Sequence, residues 1–101
     1  MREAVIVTAV RTPIGRAGKG LAGLTLQDIG AQTVSAAIAA AGLDVNDIDD
    51  LLIGEVLQGG GCTARYIANE LGLPSDTPGG TVQRQCATGM MAVQDAAAQI
   101  R

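Results

Sequence analysis

Two rhythms of apolar positions alternate along this chain. Ala4 to Val10, AVIVTAV, is apolar almost without a break and rich in β-branched residues. That pattern predicts a strand buried on both faces, as in a parallel sheet covered by helices. A Gly-rich loop, RTPIGRAGKGLAG, follows. From Thr25 the period changes, and Leu26, Ile29, Val34, Ala37, Ile38 and Ala41 recur at helical spacing. Thr25 and Asp28 are spaced like the two halves of a capping box, and Gly42 is placed to stop the helix. After an acidic turn, DVNDIDD, the run LLIGEVL at 51–57 predicts a second buried strand. Gly59, Gly60 and Gly61 predict a loop. Residues 63–71 read as a short helix ended by Gly72 and Pro74. The stretch from Thr81 to Gln85, TVQRQ, predicts a third strand, and residues 87–100 a third helix. The order β-α-β-α-β-α predicts an α/β fold with a mainly parallel sheet, in one unit spanning 1–101 with no internal boundary.

The third helix departs from an ordinary amphipathic pattern. Met90, Met91, Ala92, Val93, Ala96, Ala97, Ala98 and Ile100 cover most of its circumference. Such a helix requires burial on all sides. Three helices cannot surround one of their own number, so the pattern predicts that these residues belong to a larger body or pack on a partner.

Composition sharpens this. The chain is 48% apolar but has one aromatic residue, Tyr66, and 14 glycines. Its core must be built from Ala, Val, Ile, Leu and Met with backbones in close approach. The net charge is −3, and the seven Lys and Arg form no stripe, which argues against a nucleic-acid partner. The N-terminal MREAVIVTAV is too short an apolar run for a secretory signal, and nothing approaches a membrane span. Two cysteines without a secretory context predict free thiols in a reducing, cytoplasmic setting. No histidine is present, so the commonest general base is missing.

Three segments could carry chemistry. Gly18, Gly20 and Gly23 spell G-x-G-x-x-G, with Asp44 about twenty residues on, the outline of a nucleotide-binding fingerprint. The first glycine should stand at the strand's end, yet residues 11–17 intervene after Val10, and a plain Gly-rich loop fits better. Lys19 is followed by Gly20, so a Walker A loop fails as well. Gly59 to Gly61 reads as a turn rather than an anion nest. Cys86 is the third. It falls between a predicted strand and a predicted helix, where the partial positive charge of a helix N-terminus favours thiolate. Free N–H groups of a first turn are natural donors to an oxyanion formed when sulfur attacks a carbonyl. Ala87, Thr88 and Gly89 are small and leave room for a substrate. Buried structural thiols are common, and Cys62, in its Gly-rich loop, reads as one.

At this point the residues resemble a family. EAVIVTAVRTPIGR, DIDDLLIGEVLQGG and TVQRQCATGMMAV, in this order, are similar to the opening strand, second strand and nucleophile segment of thiolases, which transfer acyl groups between CoA thioesters. The Arg-Gln-Cys form is more like the degradative branch, which serves β-oxidation of fatty acids. The resemblance implies a thiolase-like layered fold of which this is part of the N-terminal half. It implies that Cys86 attacks an acyl-CoA or 3-ketoacyl-CoA as nucleophile, with its backbone N–H as one oxyanion donor. It further implies coenzyme A as co-substrate rather than a bound cofactor, no metal, and a homo-oligomer, dimer or tetramer, built through the strand near Thr81 and Gln85. The family's Gly-His-Pro and Cys-x-Gly segments are not in these 101 residues, and the loop GGGCT is shorter than usual and lacks the family's Gln-Asn. The chain is therefore expected to be the first part of a thiolase, inactive by itself. A ketoacyl synthase-type condensing enzyme and a non-enzymatic nucleotide binder using Gly18 to Gly23 are the alternatives.

Overall fold

The structure, a computed structural model, describes all residues 1–101. Its regular elements are α1 (Leu26–Ala40), β1 (Leu51–Gly54), α2 (Thr63–Glu70), β2 (Gly79–Val82) and α3 (Thr88–Ile100), with single 3-10 turns at Val45–Asp47, Gly59–Gly61 and Gln85–Ala87. The strands β1 and β2 run parallel, with Leu51 opposite Gly79 and Gly54 opposite Val82. The α2 helix is the crossover between them.

Local chemistry sets the helix ends. Thr25 Oγ1 accepts the Asp28 N–H at 3.1 Å, and Asp28 Oδ2 accepts the Thr25 N–H at 2.9 Å, completing the capping box that starts α1. At the other end Gly42 takes φ 69°, which an L side chain resists, and Leu43 N–H reaches back to Ile38 O at 3.1 Å. Gly72, with φ 70°, ends α2 in the same way.

The core lies where α2 meets the sheet. Leu51, Ile67, Ala68 and Leu73 are buried together, and Val34, Val45, Ile48, Ile53 and Leu71 pack against them. The glycine of Gly79 permits this contact, since a Cβ there would lie 3.0 Å from Arg65 N and 3.1 Å from Ala64 C. Thr81 Oγ1 then accepts the Ala64 N–H at 3.1 Å, satisfying a first-turn donor of α2. Arg65 Nη1 donates to Thr77 O at 2.7 Å, and Thr77 Oγ1 donates to Ile48 O at 3.1 Å, so the approach to β2 is fixed to the chain before β1.

Four expectations are corrected. The run from Ala4 to Val10 joins no ladder, although β1 pairs on one side only. Val5, Ile6 and Val7 are 68%, 81% and 71% exposed. Their apolarity marks a segment suited to cover on both faces. Residues of α1 and α3 meet it along one side, around a cavity of 540 Å³ lined by Val5, Ile6, Ile38, Val93 and Ile100 among others. The second strand stops at Gly54 rather than at residue 57: the Glu55 N–H makes the last bond to β2, to Val82 O at 3.0 Å, while its carboxylate accepts the Gly61 N–H at 2.8 Å. The third strand sits at Gly79–Val82 rather than from Thr81 to Gln85, drawn forward by the close approach that Gly79 allows. The acidic turn holds a 3-10 helix of its own, capped by Asp44, which accepts the Asn46 N–H at 3.0 Å, and by Asp47, which accepts the Asp44 N–H at 2.8 Å. The α3 helix buries only Thr88 and leaves Met90 and Val93 exposed, so the apolar circumference read from its sequence is not enclosed by the other elements.

Candidate active site

Between β2 and α3 the chain makes a tight turn, and Cys86 stands on it. Arg84 has φ −147° and ψ 43°, and Gln85 takes φ 50°, the one non-glycine residue in the left-handed region. The 3-10 turn Gln85–Ala87 follows, and α3 begins at Thr88. The expected placement of Cys86 at a strand-to-helix junction therefore holds, with the helix starting one residue later than the pattern predicted. The thiol is free and exposed.

The hydrogen bonds of this turn are selective. Arg84 N–H donates to Thr88 Oγ1 at 2.8 Å, and Gln85 N–H to Gln83 Oε1 at 2.6 Å. Ala87 N–H donates to Arg84 O at 3.1 Å, and Thr88 N–H to Gln85 O. Of the five N–H groups from Arg84 to Thr88, four are thus engaged, and the Cys86 N–H is the one that no turn bond uses. No acidic residue occupies the first turn of α3. A thiol, an unengaged amide on the same residue and a helix N-terminus with no acidic side chain meet at one exposed point, an arrangement that can donate to an oxygen bound beside the sulfur.

The other candidates fare differently. The glycines 18 to 23 lie in the turns that precede α1, and the start of α1 is already filled by its own capping box. The Thr25 hydroxyl and then the Thr25 N–H hold the Asp28 carboxyl below its ordinary range, so a negative charge sits where a phosphate would need to be. Asp44 is spent on its own turn, where the N–H and side-chain amide of Asn46 lower its carboxyl. Cys62 is not buried, as expected, but exposed, and it directly precedes α2. The helix expected from residue 63 does start there, and a position directly ahead of a helix on an exposed glycine loop was the signal that Cys62 need not be buried. The 540 Å³ cavity is lined by neither cysteine. No cluster of His, Cys, Asp or Glu is arranged to hold a metal ion, and no helix is long and apolar enough to cross a membrane.

Comparison with known proteins follows the same lines. The family "Thiolase, N-terminal domain" matches residues 4–101. A 3-ketoacyl-CoA thiolase of Bacillus subtilis is 43% identical across 99% of this chain and 27% of its own length. Among solved structures, an acetyl-CoA acetyltransferase of Bacillus anthracis superposes with TM-score 0.92 at 35% identity, covering 99% of this chain and 26% of that one. The Acat5 thiolase of Ascaris suum, solved in complex with coenzyme A, superposes with TM-score 0.93 at 29% identity, over 98% of this chain and 26% of that one. The chain thus spans about a quarter of the length of these relatives. The match from residue 4 to the last and the shared α/β fold lead to one conclusion: this chain belongs to the thiolase family, within whose N-terminal domain it matches.

Proposed function

We propose that a protein carrying these residues is an acyltransferase of the thiolase type, and that Cys86 is its nucleophile. The observation that carries the reading is the turn at Gln85–Ala87, which exposes the Cys86 thiol beside the one N–H the turn leaves unused. The sulfur attacks the carbonyl carbon of an acyl-CoA, or the 3-keto carbon of a 3-ketoacyl-CoA. The carbonyl electron pair moves to oxygen, where the Cys86 N–H is one donor. Collapse breaks the bond to the CoA sulfur, or the C2–C3 bond with release of acetyl-CoA, and leaves a thioester on Cys86. The acyl group then passes to the thiol of coenzyme A or to a second acyl-CoA. The proton lost by the thiol and the one taken up by the leaving group require an acid-base partner. With no histidine in the chain, residues 1–101 by themselves are inactive in turnover. Coenzyme A serves as co-substrate, consistent with its presence in the Ascaris suum complex. The unpaired edge of β2 fits a homo-oligomer assembled through the strand near Thr81 and Gln85, with a cytoplasmic location.

The test is mass spectrometry of the protein carrying these residues after incubation with acetoacetyl-CoA. An acetyl group, a gain of about 42 Da, is expected on the peptide holding Cys86 and is expected to vanish in Cys86→Ser, since only a side-chain nucleophile of this kind forms the thioester. An adduct on Cys62 alone, or none, refutes the assignment.

A further inference from the structure

The geometry assigns a second residue to this turn: we propose that Thr88 is the positioning residue of Cys86, its hydroxyl holding the preceding turn in the one conformation that presents the thiol together with a free N–H. The proposal rests on the reading of Cys86 as nucleophile and deepens it.

Thr88 is 5% exposed and is the only buried residue of α3. Its Oγ1 makes two bonds at once, accepting the Arg84 N–H at 2.8 Å and donating to Gln85 O at 2.6 Å. These two groups flank the Arg84–Gln85 peptide and Gln85 itself, the residue at φ 50°. A glutamine in the left-handed region is held there at a cost of order 1 kcal/mol or more. A hydroxyl that ties the backbone on both sides of that strained residue is a direct means of holding it. The methyl of the same side chain packs on the end of β1, since a Cβ at Gly54 would come within 2.6 Å of Thr88 Cγ2. Thr88 therefore fixes the turn to the sheet with its methyl and to its own backbone with its hydroxyl. By occupying Arg84 N–H and Gln85 O, it also leaves Cys86 as the residue whose amide remains available. Arg84, which flanks the turn, lays its side chain back along α3, with Nη1 3.3 Å from Met91 Sδ.

The test compares the rates at which iodoacetamide alkylates Cys86 and Cys62 in the same molecules, resolved by peptide mapping. Both thiols are exposed and both precede a helix, so Cys62 reports any general change in the chain. Thr88→Val keeps the shape and removes the hydroxyl. It is expected to lower the Cys86:Cys62 rate ratio about fivefold, the scale of one lost hydrogen bond. Thr88→Ser keeps the hydroxyl and is expected to hold the ratio within about twofold. Adding Gln85→Gly to Thr88→Val is expected to restore the ratio, because glycine takes φ 50° without strain. An unchanged ratio in Thr88→Val overturns the proposal. So does a fivefold fall in Thr88→Ser, whether or not the valine variant folds. A side chain acting only through packing would suffer from serine and tolerate valine, the reverse pattern. Iodoacetamide needs no acyl-CoA site, so a Cys86 that takes no acyl group would sink the acyltransferase reading and still leave this ratio to judge Thr88.

Discussion

Glu55 shows how one side chain can organise a loop that has no core of its own. It accepts the Thr63 hydroxyl and the Gly61 N–H, joining the end of β1 to the glycine loop and to the first residue of α2. The hydroxyl bond, then the amide bond, hold its carboxyl below the ordinary value of 4.5. A carboxylate with a lowered folded value stabilises the fold above its unfolded pKa and loses that contribution as the pH falls through the folded one. Stability is therefore expected to decline as the pH drops below 4.5, with Asp28 and Asp44 adding to the decline below 3.8. Thermal melts from pH 6 to pH 3 should show a shallower decline in Glu55→Gln than in the parent chain; identical slopes would mean that Glu55 does not hold the loop. The sequence offered little sign of this latch. A glutamate before a glycine run has no regular spacing to betray it, and its partners lie six and eight residues away.

At the scale of elements, the end of β1 and the start of α3 approach each other closely. Gly54 leaves no room there for a side chain. Gly54→Ala should cost about 1–3 kcal/mol through overpacking, read as a lowered Tm. It should also disturb alkylation of Cys86, because the atom it displaces belongs to Thr88. A melt equal to that of the parent would show that this contact is loose.

Where a signal is local, the chain is legible: Thr25 with Asp28 started α1, Gly42 and Gly72 stopped α1 and α2, and Cys86 was expected at a helix start. Asp44 and Asp47 had the spacing of a cap and were passed over because the run was read only as acidic. Gln85 could not have been anticipated. Nothing in glutamine announces a left-handed backbone, and the cause is a hydroxyl three residues later. The place of β2 depends likewise on the contact of Gly79 with α2, in which the glycine is visible in the sequence but its neighbour is not.

The whole molecule exposes much of what its sequence marks for burial. Eight of 101 residues are buried, while Val5, Ile6, Val7, Val93 and Ile100 face outward around one cavity. Apolar surface of this kind is unstable in water unless covered. The 101-residue chain should therefore sediment as dimers or larger species, and Ile6→Asp should shift it toward monomer. A chain that is monomeric at high concentration and still melts cooperatively would contradict this. The first strand was misjudged at this same scale. Its residues have the character of a central strand, but pairing depends on neighbours that a local pattern does not contain.

That unpaired N-terminal run has a consequence for exchange of amide protons with heavy water. Without a ladder, the N–H groups of Val5 to Val10 should trade hydrogen for deuterium nearly as fast as those of a short peptide, while those of Leu51 to Gly54 and of α2 wait for the core around Ile67 to open. A body docking against the run would slow its clock first, so the deuterium content of these few residues registers whether anything has docked there.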